Sequence, residues 1–324
     1  MITVSAPAAG AGNILAPINL EFMAYCNKTY NEKSLSLVLN YACNNNCVFC
    51  FVGPERKRGA RGLSMGAIDR IFAYNAKRKI YKKLVLSGEP TLRPDLSAIA
   101  TGALRKGGFE CVHLQTNARK LADKKYCKSI LSSGISEYLV SVHAATPAVN
   151  AAVTGCREGL QQTRKGVRNL LAGGTKVVSN TVVSALNYRA LPKIASMLLK
   201  DGVRFFTFWA FFDNGVPGQA KCNVRFPLSV PFLLEALDIL NRAGVCISVS
   251  GFPKCMLGKA ADLTSNYLDD VVIAQSSFTR RMKQGEKSRC FYCDCADSGV
   301  NCFAFERKAY SDMFGDEREF LTPA

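Results

Sequence analysis

Between residues 34 and 211, short β-branched apolar runs alternate with longer segments of helical period, and this alternation constrains the fold more than any other feature of the chain. Candidate strands are Ser34 to Tyr41, Lys83 to Ser87, Cys111 to Gln115, Tyr138 to His143, Lys176 to Val183 and Phe205 to Phe211. Candidate helices lie between them at Met65 to Lys77, Asp95 to Lys106, Asp123 to Ser133, Leu160 to Ala172 and Leu191 to Lys200. A crossover through a helix returns the chain parallel to the strand it left, so repeated βα units build a parallel sheet. Six such units are two short of a closed eight-fold barrel, and the expected fold class is α/β, a partial (β/α)6 TIM-like barrel.

After Phe212 the pattern changes. Asp213 to Gly218 reads as a turn, Val230 to Ala243 as one more helix and Val245 to Val249 as a short strand. Beyond Gly251 there is little sustained periodicity, yet this stretch holds Cys255, Cys290, Cys293, Cys295 and Cys302, so a metal is expected to supply stability that a core does not. The expected division is an N-terminal extension over 1–33, a barrel core over 34–225 and a C-terminal extension over 226–324. With 324 residues, 48% of them hydrophobic, the chain has enough apolar surface for a full core. No apolar run approaches the roughly 20 residues that span a bilayer. Met1 to Pro17 lacks the basic start of a signal peptide, and the expected location is cytoplasmic.

Fourteen cysteines in so large a chain, several of them closely clustered, point to metal or redox chemistry rather than to disulfides. Cys26, Cys111, Cys127, Cys156, Cys222 and Cys246 fall outside tight clusters and read as small hydrophobes. A formal charge of +17 draws polyanions to the surface, whether RNA, a phosphorylated metabolite or an acidic electron donor such as a flavodoxin or ferredoxin, and charge alone does not choose among them.

The run Cys43-Asn-Asn-Asn-Cys47-Val-Phe-Cys50 follows the first strand, at the edge of a parallel sheet where α/β sites are built. Three thiolates so closely spaced can hold a cubane cluster and leave one iron without a protein ligand. Zinc completed by a remote fourth ligand is the competing reading, although zinc sites usually pair two C-x2-4-C knuckles. The C-x3-C-x2-C spacing, with the aromatic Phe49 before the last cysteine, resembles the signature of the radical S-adenosylmethionine (SAM) superfamily. That resemblance implies a 4Fe-4S cluster on Cys43, Cys47 and Cys50 whose open iron chelates SAM. One electron then splits SAM to methionine and a 5'-deoxyadenosyl radical, which takes a hydrogen atom from substrate.

The second strand ends Ser87-Gly88-Glu89-Pro90, similar to the family's glycine-rich motif at the SAM amino group. Gly88 permits close backbone approach, and Glu89 offers a carboxylate to an ammonium. Asn117 after strand three, Ser141 and His143 at strand four, and Asn180 within strand five continue the resemblance, which implies contacts to SAM's carboxylate, ribose or adenine. Read alone, these strand-end polar residues have ordinary structural uses as turn caps or satisfied side chains.

Cys290-Phe-Tyr-Cys293-Asp-Cys295 with Cys302, and Cys255 upstream after Pro253, are too dense to be packing. They resemble the C-terminal auxiliary-cluster region of the superfamily, the twitch type or its larger SPASM relative, with a closing segment over Tyr310 to Phe320. The resemblance assigns Cys255, Cys290, Cys293 and Cys302 to one auxiliary 4Fe-4S cluster, with Cys295 as a substitute for Cys302 or Cys255; a four-cysteine zinc knuckle is the alternative. The implied activity is oxidation or rearrangement of a small-molecule or peptide substrate. The few residues before the first strand leave no room for a fused winged-helix peptide-binding domain, which weighs against a peptide. RNA modification is the second reading, motivated by charge and by Arg56, Lys57, Arg58 and Arg61 after the cysteine loop. A non-catalytic iron-sulfur electron carrier or redox sensor is the third.

Overall fold

The computed structural model describes residues 33–211, 213, 216 and 218–264, and the backbone of a short strand at Val271–Ile273. All six expected strands are present: β1 Ser34–Val38, β2 Lys83–Ser87, β3 Cys111–Thr116, β4 Glu137–Ser141, β5 Lys176–Val183 and β6 Phe205–Ala210. Two more join them. β7 (Cys246–Ser250) pairs with β6 and β8 (Val271–Ile273) with β1, giving the all-parallel order β7-β6-β5-β4-β3-β2-β1-β8. The sheet is therefore wider than six units, and the chain after residue 225 continues it before any extension begins.

Helices alternate with the strands along the chain: α1 (Gly53–Lys57), α2 (Met65–Arg78), α3 (Leu96–Lys106), α4 (Lys124–Leu131), α5 (Pro147–Thr154), α6 (Gly159–Ala172), α7 (Leu191–Lys200) and α8 (Phe226–Arg242). Local chemistry sets their starts. Ser64, Asp123 and Thr146 accept from the backbone N–H of Ala67, Tyr126 and Val149, each satisfying a donor that the first turn leaves open. α8 begins four residues before the expected Val230, because Pro227 lies in the first turn, where a missing N–H costs nothing. No helix among the described residues is long and apolar enough to cross a membrane.

The strands are two-sided. Leu35, Leu37, Leu84, Leu86, Leu114, Val140 and Phe208 are fully or almost fully buried in the core under the helices. Alternate residues face the other way, and there the register lines up polar groups: His113 with Glu137 and Lys176, then Ser141 with Asn180, Thr207 and Ser248. Parallel strands are usually apolar on both faces, so a polar inner face marks a partial barrel built to hold something polar.

The N-terminal end of that interior is closed by charge. Glu137, 3% exposed, has Lys176 Nζ at 2.7 Å from one oxygen and His113 Nδ1 at 3.2 Å from the other. Burial alone would raise its carboxyl, but His113 and the Lys176 ammonium outweigh it and hold the pKa at about 2.

Candidate active site

The cysteine loop leaves β1 and is fixed before it reaches α1. Asn46 N–H donates to Thr154 O at 2.7 Å and Val48 N–H to Val153 O at 3.0 Å, pinning the loop to the end of α5. Cys50 N–H bonds Cys47 O at 3.2 Å and Gly53 N–H bonds Cys50 O at 3.1 Å, so the C-x2-C half is a tight turn running into the helix. Phe49 is the anchor. Its ring packs edge-on against His143 at 5.0 Å and beside Phe211 at 6.3 Å, in a small cluster with Val153 and Cys222. Facing Phe49 inward leaves the three flanking thiols half-buried at the mouth of the barrel.

Burial raises the pKa of all three thiols, and for Cys47 the neighbouring Cys50 and Cys43 push in the same direction. The three are electrostatic neighbours, yet no three His, Cys, Asp or Glu side chains among the described residues converge on one point as a single ion requires. Three thiols fit a cubane with one iron left open better than a structural zinc, which takes four protein ligands.

The end of β2 is locked to the loop's approach. Gly88 has φ +90, and a Cβ there would lie 2.2 Å from Asn40 O, so only glycine lets the two strand ends meet. Asn40 Nδ2 donates to Glu89 O at 3.1 Å and Asn40 Oδ1 accepts from Glu89 N–H at 3.3 Å. Pro90 opens the 3-10 turn that follows. The Glu89 carboxylate, 1% exposed, accepts from Thr91 Oγ1 at 2.5 Å, Thr116 Oγ1 at 2.7 Å and Asn117 N at 2.8 Å. Every one of these donors is neutral. Burial pushes the carboxyl upward against them, and no cation pairs with it among the described residues, so one brought beside Glu89 would stabilise its charged form.

Asn117 is occupied otherwise. Its Nδ2 donates to Asn44 Oδ1 at 2.6 Å and approaches Cys43 Sγ at 3.7 Å, and its Oδ1 accepts from Arg119 N–H at 3.0 Å. The intervening Ala118 has φ 57, a left-handed conformation costing a non-glycine residue about 1–2 kcal/mol, which the bonds from Ala118 N–H to Thr116 Oγ1 and from Thr163 Oγ1 to Asn117 O help to hold. That turn aims Asn117 and Arg119 at the cysteine loop.

At β4 and β5, Ser141 and Asn180 are register partners on the inner face. Asn180 Oδ1 is buried and has no hydrogen-bond partner among the described residues, an expensive state for an acceptor unless a donor is supplied to it. His143 is deeply buried. Its Nδ1 accepts from Val182 N–H at 3.2 Å, and burial lowers its pKa to about 4, so the ring is neutral with its proton on Nε2. On β6, Trp209 Nε1 donates to Thr207 Oγ1 at 2.9 Å on the same inner face.

The structure thus brings Cys43, Cys47, Cys50, Gly88, Glu89, Pro90, Asn117, Ser141, His143 and Asn180 to one end of one sheet. Cys255 lies exposed on the turn after β7, at the same edge. Cys290, Cys293, Cys295, Cys302, the segment 310–320, the extension over 1–32 and positions 214, 215 and 217 of the expected turn lie outside the described residues. Sequence reasoning passed over Asn40, Arg119, Thr207 and Trp209. Arg119 carried one available signal, two residues beyond the singled-out Asn117.

The Asn180 oxygen and the Glu89 carboxylate, which have no hydrogen-bond donor and no cation respectively among the described residues, and the three neighbouring thiols fit a SAM-binding 4Fe-4S cluster. Comparison with known proteins agrees. A family model for the radical SAM superfamily matches residues 37–198. A probable GTP 3',8-cyclase of Pyrobaculum aerophilum is 28% identical over 298 residues, covering 84% of this chain and 87% of the relative. The Fe-coproporphyrin III synthase of Methanosarcina barkeri is 22% identical over 84% of this chain and 66% of its own length. Streptococcus suis SuiB bound to S-adenosylmethionine shares the fold with TM-score 0.56 and 17% identity, over 72% of this chain and 55% of SuiB. The anSMEcpe structure with bound AdoMet does so with TM-score 0.55 and 16% identity, over 66% of this chain and 61% of that one. The matched model spans half of the sequence and contains the cysteine loop and every strand end from β1 to β5, and on that ground the chain belongs to the radical SAM superfamily.

Proposed function

We propose that this radical SAM enzyme abstracts a hydrogen atom from a small polar molecule held in the barrel interior, with oxidation or rearrangement as the outcome. When bound and reduced by one electron, the cluster and SAM together supply the 5'-deoxyadenosyl radical that does so. Cys43, Cys47 and Cys50 would hold the cluster. Gly88, Glu89 and Pro90 would receive the SAM amino group, and Asn117, Ser141, His143 and Asn180 would line the rest of the cofactor site. The reading rests chiefly on the Ser141, Asn180, Thr207 and Ser248 row, a polar inner face that includes a buried acceptor with no donor among the described residues.

A relative matched over most of both chains is named for a reaction of a nucleotide, which favours a small molecule. A peptide is the other substrate class this reading allows, supported by the likeness to structures of SuiB with precursor peptide SuiA and of anSMEcpe with a peptide. Exposed Lys57, Arg58 and Arg61 would face an acidic electron donor. RNA binding is disfavoured if bulk transfer RNA at physiological salt shows no retention above nonspecific levels. We assign Cys255, Cys290, Cys293 and Cys302, with Cys295 as substitute, to an auxiliary 4Fe-4S cluster in the C-terminal extension.

The deciding experiment is anaerobic reconstitution followed by dithionite and SAM. The expected result is a SAM-dependent change in the electron paramagnetic resonance (EPR) spectrum and formation of 5'-deoxyadenosine; a loaded cluster showing neither would refute the activity and leave an electron carrier. Iron and sulfide analysis of the Cys43→Ala/Cys47→Ala/Cys50→Ala protein tests the auxiliary assignment, which zinc without iron would overturn.

A further inference from the structure

The basic run after the cysteine loop divides in two. Lys57, Arg58 and Arg61 are exposed, whereas Arg56 is half-buried and turned back onto the loop. Its Nη1 donates to Asn45 O at 2.8 Å and its Nη2 to Asn46 Oδ1, both within the three residues separating Cys43 from Cys47. Arg119 grips the same stretch from the β3 side, through Asn44 O and through Asn45 Oδ1 at 2.8 Å, while its Nε donates to Gln162 Oε1 at 2.7 Å. Neither guanidinium forms an ion pair with a carboxylate among the described residues. The two differ in reach. Arg56 sits on the short helix that begins just after Cys50 and bonds the residues leading into Cys47, whereas Arg119 meets the loop nearer Cys43.

Two N–H groups also point at the first sulfur: Asn45 N–H at 3.3 Å and Asn117 Nδ2 at 3.7 Å from Cys43 Sγ. The reduction potential of an iron-sulfur centre rises with nearby positive charge and with hydrogen bonds to its sulfurs, because the reduced form carries one more negative charge.

From this geometry we propose that Arg56 is a positioning residue for electron transfer: its unneutralised guanidinium, bonded to the Asn45–Asn46 stretch between two ligands, raises the electron affinity of the three-cysteine cluster, while Arg119 fixes the loop's shape. The proposal rests on the cluster assignment above. The electron itself comes from an acidic protein donor or, in the assay, from dithionite, and adds one negative charge to the cluster. Arg56 stabilises that charge without changing its own protonation.

The test is an EPR-monitored redox titration of the reconstituted wild-type protein and its Arg56→Gln, Arg56→Lys and Arg119→Gln variants. Only loaded molecules give a signal, so partial occupancy does not blur the reading. Arg56→Gln is expected to lower the ratio of reduced to oxidised cluster at a given potential about tenfold, equivalent to about 59 mV for a one-electron couple. Arg56→Lys retains the charge and should keep most of the wild-type value. Arg119→Gln should lower occupancy and leave the potential of the remaining clusters nearly unchanged. A wild-type potential in loaded Arg56→Gln, or equal shifts in Gln and Lys, would overturn the proposal alone. Failure of the wild-type protein to load a SAM-responsive cluster would overturn the underlying assignment as well.

Discussion

His143 offers a measurable link between the buried site and stability. Its imidazole has an ordinary pKa of 6.5 in the unfolded chain and about 4 in the fold, with burial as the cause. Protonation would also place a proton on Nδ1, opposite the Val182 N–H that Nδ1 now accepts. A depressed folded pKa gives stability that is complete above about pH 6.5 and is lost as pH falls through about 4, because the unfolded state takes the proton first. The shift of about 2.5 units corresponds to about 3 kcal/mol, of which about 2.5 kcal/mol would disappear between about pH 7 and pH 4.5. His143→Gln keeps an acceptor near Val182 and removes the titration. Urea unfolding of both proteins across that range should give curves that converge as pH falls, the wild type losing about 2.5 kcal/mol more than the variant. The chain has only two histidines, so proton NMR of the imidazole Cε1–H signals provides an independent reading. Parallel stability curves, or a His143 resonance titrating near 6.5, would refute the reasoning.

Other expectations follow from single contacts. Glu137→Gln should cost about 3 kcal/mol at neutral pH, since it breaks a buried ion pair. In the wild type that contribution is lost as pH falls from about 4.5 to 2, below the His143 window, and acid unfolding of the variant should lack this lower step. Gly88→Ala forces a Cβ against Asn40 O at φ +90 and should lose about 2–4 kcal/mol in urea unfolding; a loss under about 0.5 kcal/mol would mean that the strand ends are not held as described. Asn187 bonds His143 O and Val182 O at 2.9 Å each and Ser184 N at 2.8 Å, so Asn187→Ala should destabilise by about 2–4 kcal/mol, visible as a lowered thermal midpoint.

Much of the scaffold was legible because local periodicity and burial agree. The strands at Lys83–Ser87 and Lys176–Val183 match the expected limits to the residue, as does the helix at Leu191–Lys200. Shorter elements escaped notice. α1 spans too few residues to show a helical period, and β8 has only three, so its place beside β1 depends on a partner distant in sequence. At the mouth of the barrel, the cysteine spacing and the Gly88-Glu89-Pro90 turn stood out because their chemistry is written in consecutive residues. Arg119 and Asn40 did not, since their roles come from contacts 74 and 49 residues away.

Sequence alone determined the order of strands and helices, the three-thiol loop after the first strand and the family to which these point, because each arises from neighbours along the chain. Tertiary structure decided the rest: that the inner sheet face is polar, that among the described residues Glu89 is buried without a cation and Asn180 keeps an unpaired oxygen, and that Arg56 turns inward onto the loop. Burial and the pairing of charges depend on what packs across the sheet, and only the folded register of the strands brings those groups together.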